Sequence, residues 1–154
     1  MIDLNKKLII EQLDRKLERL SILNGLEIPP KGWINAIRTS LNMSLVQLAK
    51  RLKKTSVSVR EMEQREEDKG ITIKKLSEAA EALGCSFVYG LIAKEGSLEK
   101  TIEKRSLEIA KEIVLRSSHN MKLEDQENSP ERIQKAIKDR TEKIKYEMPK
   151  YLWD

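Results

Sequence analysis

The stretch from Ser44 to Glu63 constrains the fold of this 154-residue chain more than any other. Leu45, Leu48, Ala49 and Leu52 recur at three- and four-residue steps, which marks one face of a short helix. Val59 and Met62 mark the inner face of a second helix that follows almost at once. Ser44 and Thr55 stand where N-caps belong, and both residue types accept a hydrogen bond from an orphan helical amide. Two short capped helices joined by a tight turn are the layout of a helix-turn-helix, whose second helix enters the major groove of DNA.

Charge supports that layout. The chain carries a net +5. Between Lys31 and Arg65 stand eight basic residues (Lys31, Arg38, Lys50, Arg51, Lys53, Lys54, Arg60, Arg65) against Glu61 and Glu63, a surplus of six. The rest of the chain is close to neutral. A basic focus on the DNA-reading element is the footprint of phosphate contact. The plainer reading is an ordinary solvated helix pair. Aromatic residues make up 4% of the chain, which argues against a base-stacking platform for single strands.

The helix opened by Thr55 is expected to present Ser56, Val57, Ser58, Arg60 and Glu61 to DNA. Serine hydroxyls bond to any base, valine packs on a thymine methyl, arginine binds guanine O6/N7 or a phosphate, and Glu61 accepts from cytosine or steadies Arg60. Ser44 and Gln47 at a helix N-terminus, with Ser40 before them, suit phosphate binding. Lys53 and Lys54 add charge.

The rest of the chain reads as mainly α. Residues 4–23 predict a helix with Ile9, Ile10, Leu13, Leu17, Leu20 and Ile22 on one side, closed by Gly25 and Pro29-Pro30. Residues 33–42 predict another, with Trp33, Ile34, Ile37 and Leu41 apolar. Glu66 to Gly70 reads as a polar loop. A helix over about 72–83 follows, with Ile73, Leu76, Ala79, Ala80 and Leu83 inward and Gly84 as C-cap. Together these predict a five-helix, phage-repressor-like core over 32–84, its recognition helix third. The expected organisation is an N-terminal helix and linker at 1–31, the DNA-binding domain at 32–84, a strand and linker at 85–96, and a helical extension at 97–154.

Cys85 to Ala93 is rich in strand formers, with Phe87, Tyr89 and Leu91 on one face. A lone strand leaves its backbone unpaired, so this segment predicts antiparallel pairing with a second copy in a homodimer. A continued helix or an extended segment lying on the core are the alternatives. Ser97 opens a helix over 97–117, residues 117–129 read as a polar loop, and Ser129-Pro130 starts a last helix ending near Pro149. Trp153 is expected to dock.

Catalysis is not expected. His119, with Ser117, Ser118, Glu124 and Asp125 nearby, hints at acid–base work, but a histidine on terminal helix carbonyls is the simpler reading. No Gly-rich phosphate loop or metal-spaced cluster occurs, so neither metal nor cofactor is expected. A single cysteine, no signal-peptide layout after Met1, and no apolar run of membrane-spanning length predict a cytoplasmic protein with no membrane partner.

Residues 33–84, with Ser44, Leu48-Ala49, Leu52, Thr55, Val59, Met62-Glu63 and Leu83-Gly84, resemble the phage-repressor-like (Xre/Cro) helix-turn-helix family. That family often has glycine where Lys53-Lys54 stand, so the turn here either avoids positive φ or is strained. Gln12 to Leu17, Pro30 to Ile34, Ala79 to Cys85, Lys94 to Leu98, Ser118 to Met121, Leu123 to Gln126 and Leu152 to Asp154 together resemble the family called mobile mystery protein A over nearly the whole chain. The resemblance implies an antitoxin-type regulator encoded beside a Fic-domain protein of the class that transfers AMP from ATP. With the helix-turn-helix it leads to the expectation of a dimeric repressor of its own operon that binds an inverted repeat. The Fic-inhibitory motif, Ser or Thr, three residues, Glu, then Gly or Asn, is absent. Glu95-Gly96 follows Leu91, Glu127-Asn128 follows Leu123, and Ser77 with Glu81 is followed by Ala82. A plain regulator without a toxin partner is the alternative.

Overall fold

A computed structural model describes residues 4–123 and 129–154. These form seven α-helices: α1 (Leu4–Leu20), α2 (Gly32–Ser40), α3 (Leu45–Leu52), α4 (Ser56–Glu67), α5 (Ile73–Ala82), α6 (Leu98–Leu123) and α7 (Pro130–Glu147). Short 3-10 turns cover Ser21–Leu23 and Lys150–Trp153. The chain divides into two compact units, one holding α2–α5 within Gly25–Tyr89, the other holding α1, α6 and α7. Among the described residues no helix is long and apolar enough to cross a membrane.

In the α2–α5 unit, Ile34, Leu48, Ala49, Val59, Met62, Ala79 and Leu83 are buried together. Each large aliphatic side chain moved out of water there contributes about 1.5–3 kcal/mol. Ile37, Leu45, Leu52 and Leu76 pack around them half-buried. Ile73 is a correction to the expected inward set, since it is 54% exposed at the first turn of α5. The core over 32–84 contains four helices rather than five, with α4 third. From Cys85 to Ala93 the chain has no regular secondary structure.

All four helices of this unit end in the same way. The backbone N–H of Met43, Lys54, Gly70 and Cys85 donates to the carbonyl of Arg38, Ala49, Arg65 and Ala80, at 2.7–3.0 Å. In each case the preceding residue also donates backward, to Thr39, Lys50, Glu66 and Glu81. This is the paired 6→1 and 5→2 closure that a left-handed residue permits. Only α5 uses glycine for it, Gly84; the others use Asn42, Lys53 and Lys69, all at positive φ. The strained alternative for the α3–α4 turn is therefore the one realised, with Lys53 at φ 54° and ψ 44°.

The other unit is built on α6 and α7. Lys145 near the end of α7 lies 3.9 Å from Glu99 and 3.8 Å from Glu103 at the start of α6, so the helices run antiparallel. Ile102, Ile109, Ala110, Ile137 and Ile144 form their buried seam, joined by Leu152. From α1, Ile10 packs against this core. Ile9 and Leu13 of the expected α1 stripe stay largely in water, as does Ile22 beyond it. Asp14 accepts from the Leu98 and Glu99 amides at 2.7 and 3.2 Å, while Ser97 Oγ accepts from Lys100 N at 3.1 Å. Two side chains thus satisfy three orphan amides of α6.

Several expectations are overturned. Among the described residues there is no strand. Ser86 to Ile92 makes no main-chain hydrogen bond among them, because a ladder needs a partner strand and the described residues supply none. Phe87 stacks on Tyr89 at 5.8 Å and Leu91 is 80% exposed, so the three side chains lie along an open segment rather than in a sheet. The polar residues 117–123 continue α6, where burial of Ser118 overrides weak local propensity. Residues 124–128 of the expected loop, Glu124 and Asp125 with them, lie outside the described residues. Glu66 and Glu67 belong to α4 rather than to a loop. At the far end Trp153 is 60% exposed, and its neighbour Leu152 is the residue that docks. Arg105 accounts for this, since Nε and Nη2 donate to the Leu152 and Asp154 carbonyls at 2.8 and 2.7 Å. They hold the turn with Leu152 inward.

Candidate nucleic-acid interface

The interface is set by how α3 and α4 begin. Ser44 Oγ accepts from Gln47 N at 3.2 Å, and Gln47 Oε1 accepts from Ser44 N at 2.8 Å, a closed capping box. Thr55 Oγ1 accepts from Ser58 N at 3.1 Å and starts α4. These caps leave Gln47 its two amide donors for a phosphate.

Burial fixes the rotation of α4. Val59, Met62 and Glu63 are buried, so Val57, Arg60, Glu61 and Gln64 share the exposed face at i, i+3, i+4 and i+7. Val57 is 63% exposed, an apolar side chain available to a thymine methyl. Ser56 and Ser58 sit half-buried on the two flanks of that face. Gln64 is a member that the reading of the sequence missed; its signal was the seven-residue step from Val57. Its Nε2 lies 3.3 Å from both oxygens of Asp68.

Beneath this face Glu63 anchors α4 to α2. Its carboxylate takes Arg38 Nε at 2.5 Å and Nη2 at 3.1 Å, and Asn35 Nδ2 at 2.9 Å. Arg38 Nη1 reaches the Met43 carbonyl at 2.8 Å. Burial alone would raise the Glu63 pKa, but the hydrogen bonds from Arg38 and Asn35 and the Arg38 charge outweigh it and hold the carboxyl below its ordinary range. The hydrogen bond to Glu63 raises Arg38 in turn. One of the eight basic residues is thus committed inside the fold. Lys54 lies 3.7 Å from Glu78. Among the described residues Lys50, Lys53, Arg60 and Arg65 pair with no carboxylate, which leaves their charge for phosphates.

Glu66, one turn further along α4, caps α2 across the fold. Oε1 accepts from Trp33 N at 2.7 Å and Oε2 from Ile34 N at 2.9 Å. Lys31, the residue at the N-cap position, supplies no side-chain cap. α4 is therefore clamped to α2 by two carboxylates one turn apart.

His119 is exposed near the end of α6, and Cys85 is a half-buried free thiol after α5. Among the described residues no cluster of His, Cys, Asp or Glu is placed to hold a metal ion. No curated protein and no solved structure matches the chain. The helix-turn-helix family model matches residues 34–89, and this segment is the DNA-binding domain of a transcription regulator.

Proposed function

We propose that the protein is a sequence-specific repressor that binds an inverted repeat as a homodimer. The observation that carries this reading is the exposed face of α4, with Val57, Arg60, Glu61 and Gln64 in one row on a capped and clamped helix. Base edges are read by such a row in the major groove. Ser44 and Gln47 at the start of α3, with Lys53, Lys54 and Thr55 in the turn between α3 and α4, act on phosphates, and Ser56 and Ser58 lie at the margins of the row. Two copies would set half-sites one helical turn apart, about 34 Å. In this reading Phe87, Tyr89 and Leu91 meet a second copy.

The resemblance to mobile mystery protein A extends the reading to an antitoxin that silences a Fic-domain toxin and represses its own operon. The partner would be held outside residues 34–89. DNase footprinting combined with a co-expression toxicity assay tests both parts. Ser56→Ala with Arg60→Ala is expected to abolish the footprint and leave neutralisation intact. Loss of both in a folded variant overturns the two-surface arrangement. No complex with the neighbouring gene's product, and no rescue of its toxicity, favours a plain regulator.

A further inference from the structure

Among the described residues, Gln64 is the one member of the exposed α4 row whose side chain has a hydrogen-bond partner. Its Nε2 lies 3.3 Å from Oδ1 and 3.3 Å from Oδ2 of Asp68, one turn further on the same face. Asp68 is the C-cap residue of α4, and among the described residues no cation pairs with its carboxylate. A carboxylate has no hydrogen to give, so only the amide NH2 of Gln64 can face it. The reverse rotamer would set Oε1 against two negative oxygens. Oε1 is therefore turned away from Asp68 as an acceptor, while Nε2 is already engaged. Displacing water from a DNA groove strengthens such a charge-assisted bond. Gln64 also stands seven residues beyond Val57, about 10 Å along the helix axis, or about three base-pair steps. The two side chains thus meet different base pairs.

We propose that Asp68 is a positioning residue that makes Gln64 an acceptor toward DNA. Gln64 then selects a base with an exocyclic amino group in the major groove, cytosine through N4 or adenine through N6. Guanine O6 and N7 and thymine O4 are acceptors themselves and meet Oε1 lone pair to lone pair. A glutamine without Asp68 turns either edge of its amide to the base and selects less. The proposal rests on the reading of α4 as the helix that enters the groove.

Selection of binding sites by the full chain from a random DNA library tests it, followed by competition titration of single-base variants of the selected half-site. Wild type should show one base pair whose preference disappears in Gln64→Ala. Cytosine or adenine should be favoured there about fivefold or more over guanine and thymine. Gln64→Glu, an acceptor only, should keep that order, although its added charge weakens binding to every sequence alike. Asp68→Ala should cut the preference to about twofold or less. A merely structural Asp68 would instead lower Tm and leave the order of bases intact. Guanine or thymine at the Gln64-dependent position, loss of the order in Gln64→Glu, or an undiminished preference in Asp68→Ala overturns the proposal. A selected operator with no Gln64-dependent position overturns it too and leaves the reading of α4 standing. Failure to select any operator overturns that reading, and the role of Gln64 with it.

Discussion

The Glu66 carboxylate occupies the space that a side chain at Gly32 would need. A Cβ there would lie 2.6 Å from Glu66 Cδ and 2.8 Å from Oε2. Gly32 also sits at φ +83°, where an L side chain is strained. Gly32→Ala is expected to cost roughly 2–3 kcal/mol, strain plus a displaced cap. Glu66→Ala should cost about 1 kcal/mol, the ordinary loss on removing a cap. Urea unfolding of the double variant should show less than the sum, because the cap is lost only once. Simple additivity would mean that the two residues do not share it.

Lys53→Gly separates stability from DNA affinity at one residue. Relief of left-handed strain gains roughly 1–2 kcal/mol, and glycine's extra unfolded-state entropy takes back about 0.5–1. A net rise in Tm is expected. The lost cation should lower affinity for DNA of any sequence and flatten the salt dependence by about one unit. A fall in Tm would sink the strain argument.

Acid sensitivity centres on Glu63. Its carboxyl is held below the ordinary range in the folded state, so its contribution to stability is present above the unfolded pKa and is lost as pH falls through the folded one. Glu63→Gln leaves the half-buried Arg38 without its counter-charge and should cost about 1–3 kcal/mol. Stability of that variant should depend less on pH across the acidic range than the wild type's. Unfolding curves collected over that range compare the two slopes directly.

Single alanine substitutions at Val57, Arg60, Glu61 and Gln64 should leave stability within about 0.5 kcal/mol, since all four side chains are exposed. Residues that read a base should each cost about 1–3 kcal/mol of operator affinity and relax preference at one base pair. Arg60 discriminates two roles. A uniform loss across sequences with a shallower salt slope assigns it to phosphate, and a loss confined to one position assigns it to guanine. Selection of binding sites from a random library, repeated at two salt concentrations, distinguishes them.

Leu152→Ala should destabilise the α6–α7 unit by about 2–5 kcal/mol, as its side chain is fully buried. Arg105→Ala should cost less, through release of the turn that carries Leu152. Trp153→Ala should be nearly silent. Thermal unfolding ranks the three, and a Trp153 effect as large as that of Leu152 would contradict the observed docking.

Periodicity and capping were legible from the residues because both act over three or four positions. The spacing of Leu45, Leu48, Ala49 and Leu52, and the caps at Ser44, Thr55 and Ser129, appear in the structure where local rules put them. So did the outward turn of Val57, Arg60 and Glu61, which follows from burying Val59 and Met62. Tertiary structure decided everything that depended on a distant partner. Glu66 reaches 33 residues back to cap α2, and Asp14 reaches 84 residues forward to cap α6. No local pattern announces such a cap, since any exposed carboxylate looks the same along the chain. Strand-forming residues at 85–93 made no strand, because a ladder needs a second edge as well as propensity. Local chemistry determined where helices start and which way they face. Long-range closure alone chose what clamps α4 and which terminal side chain is buried.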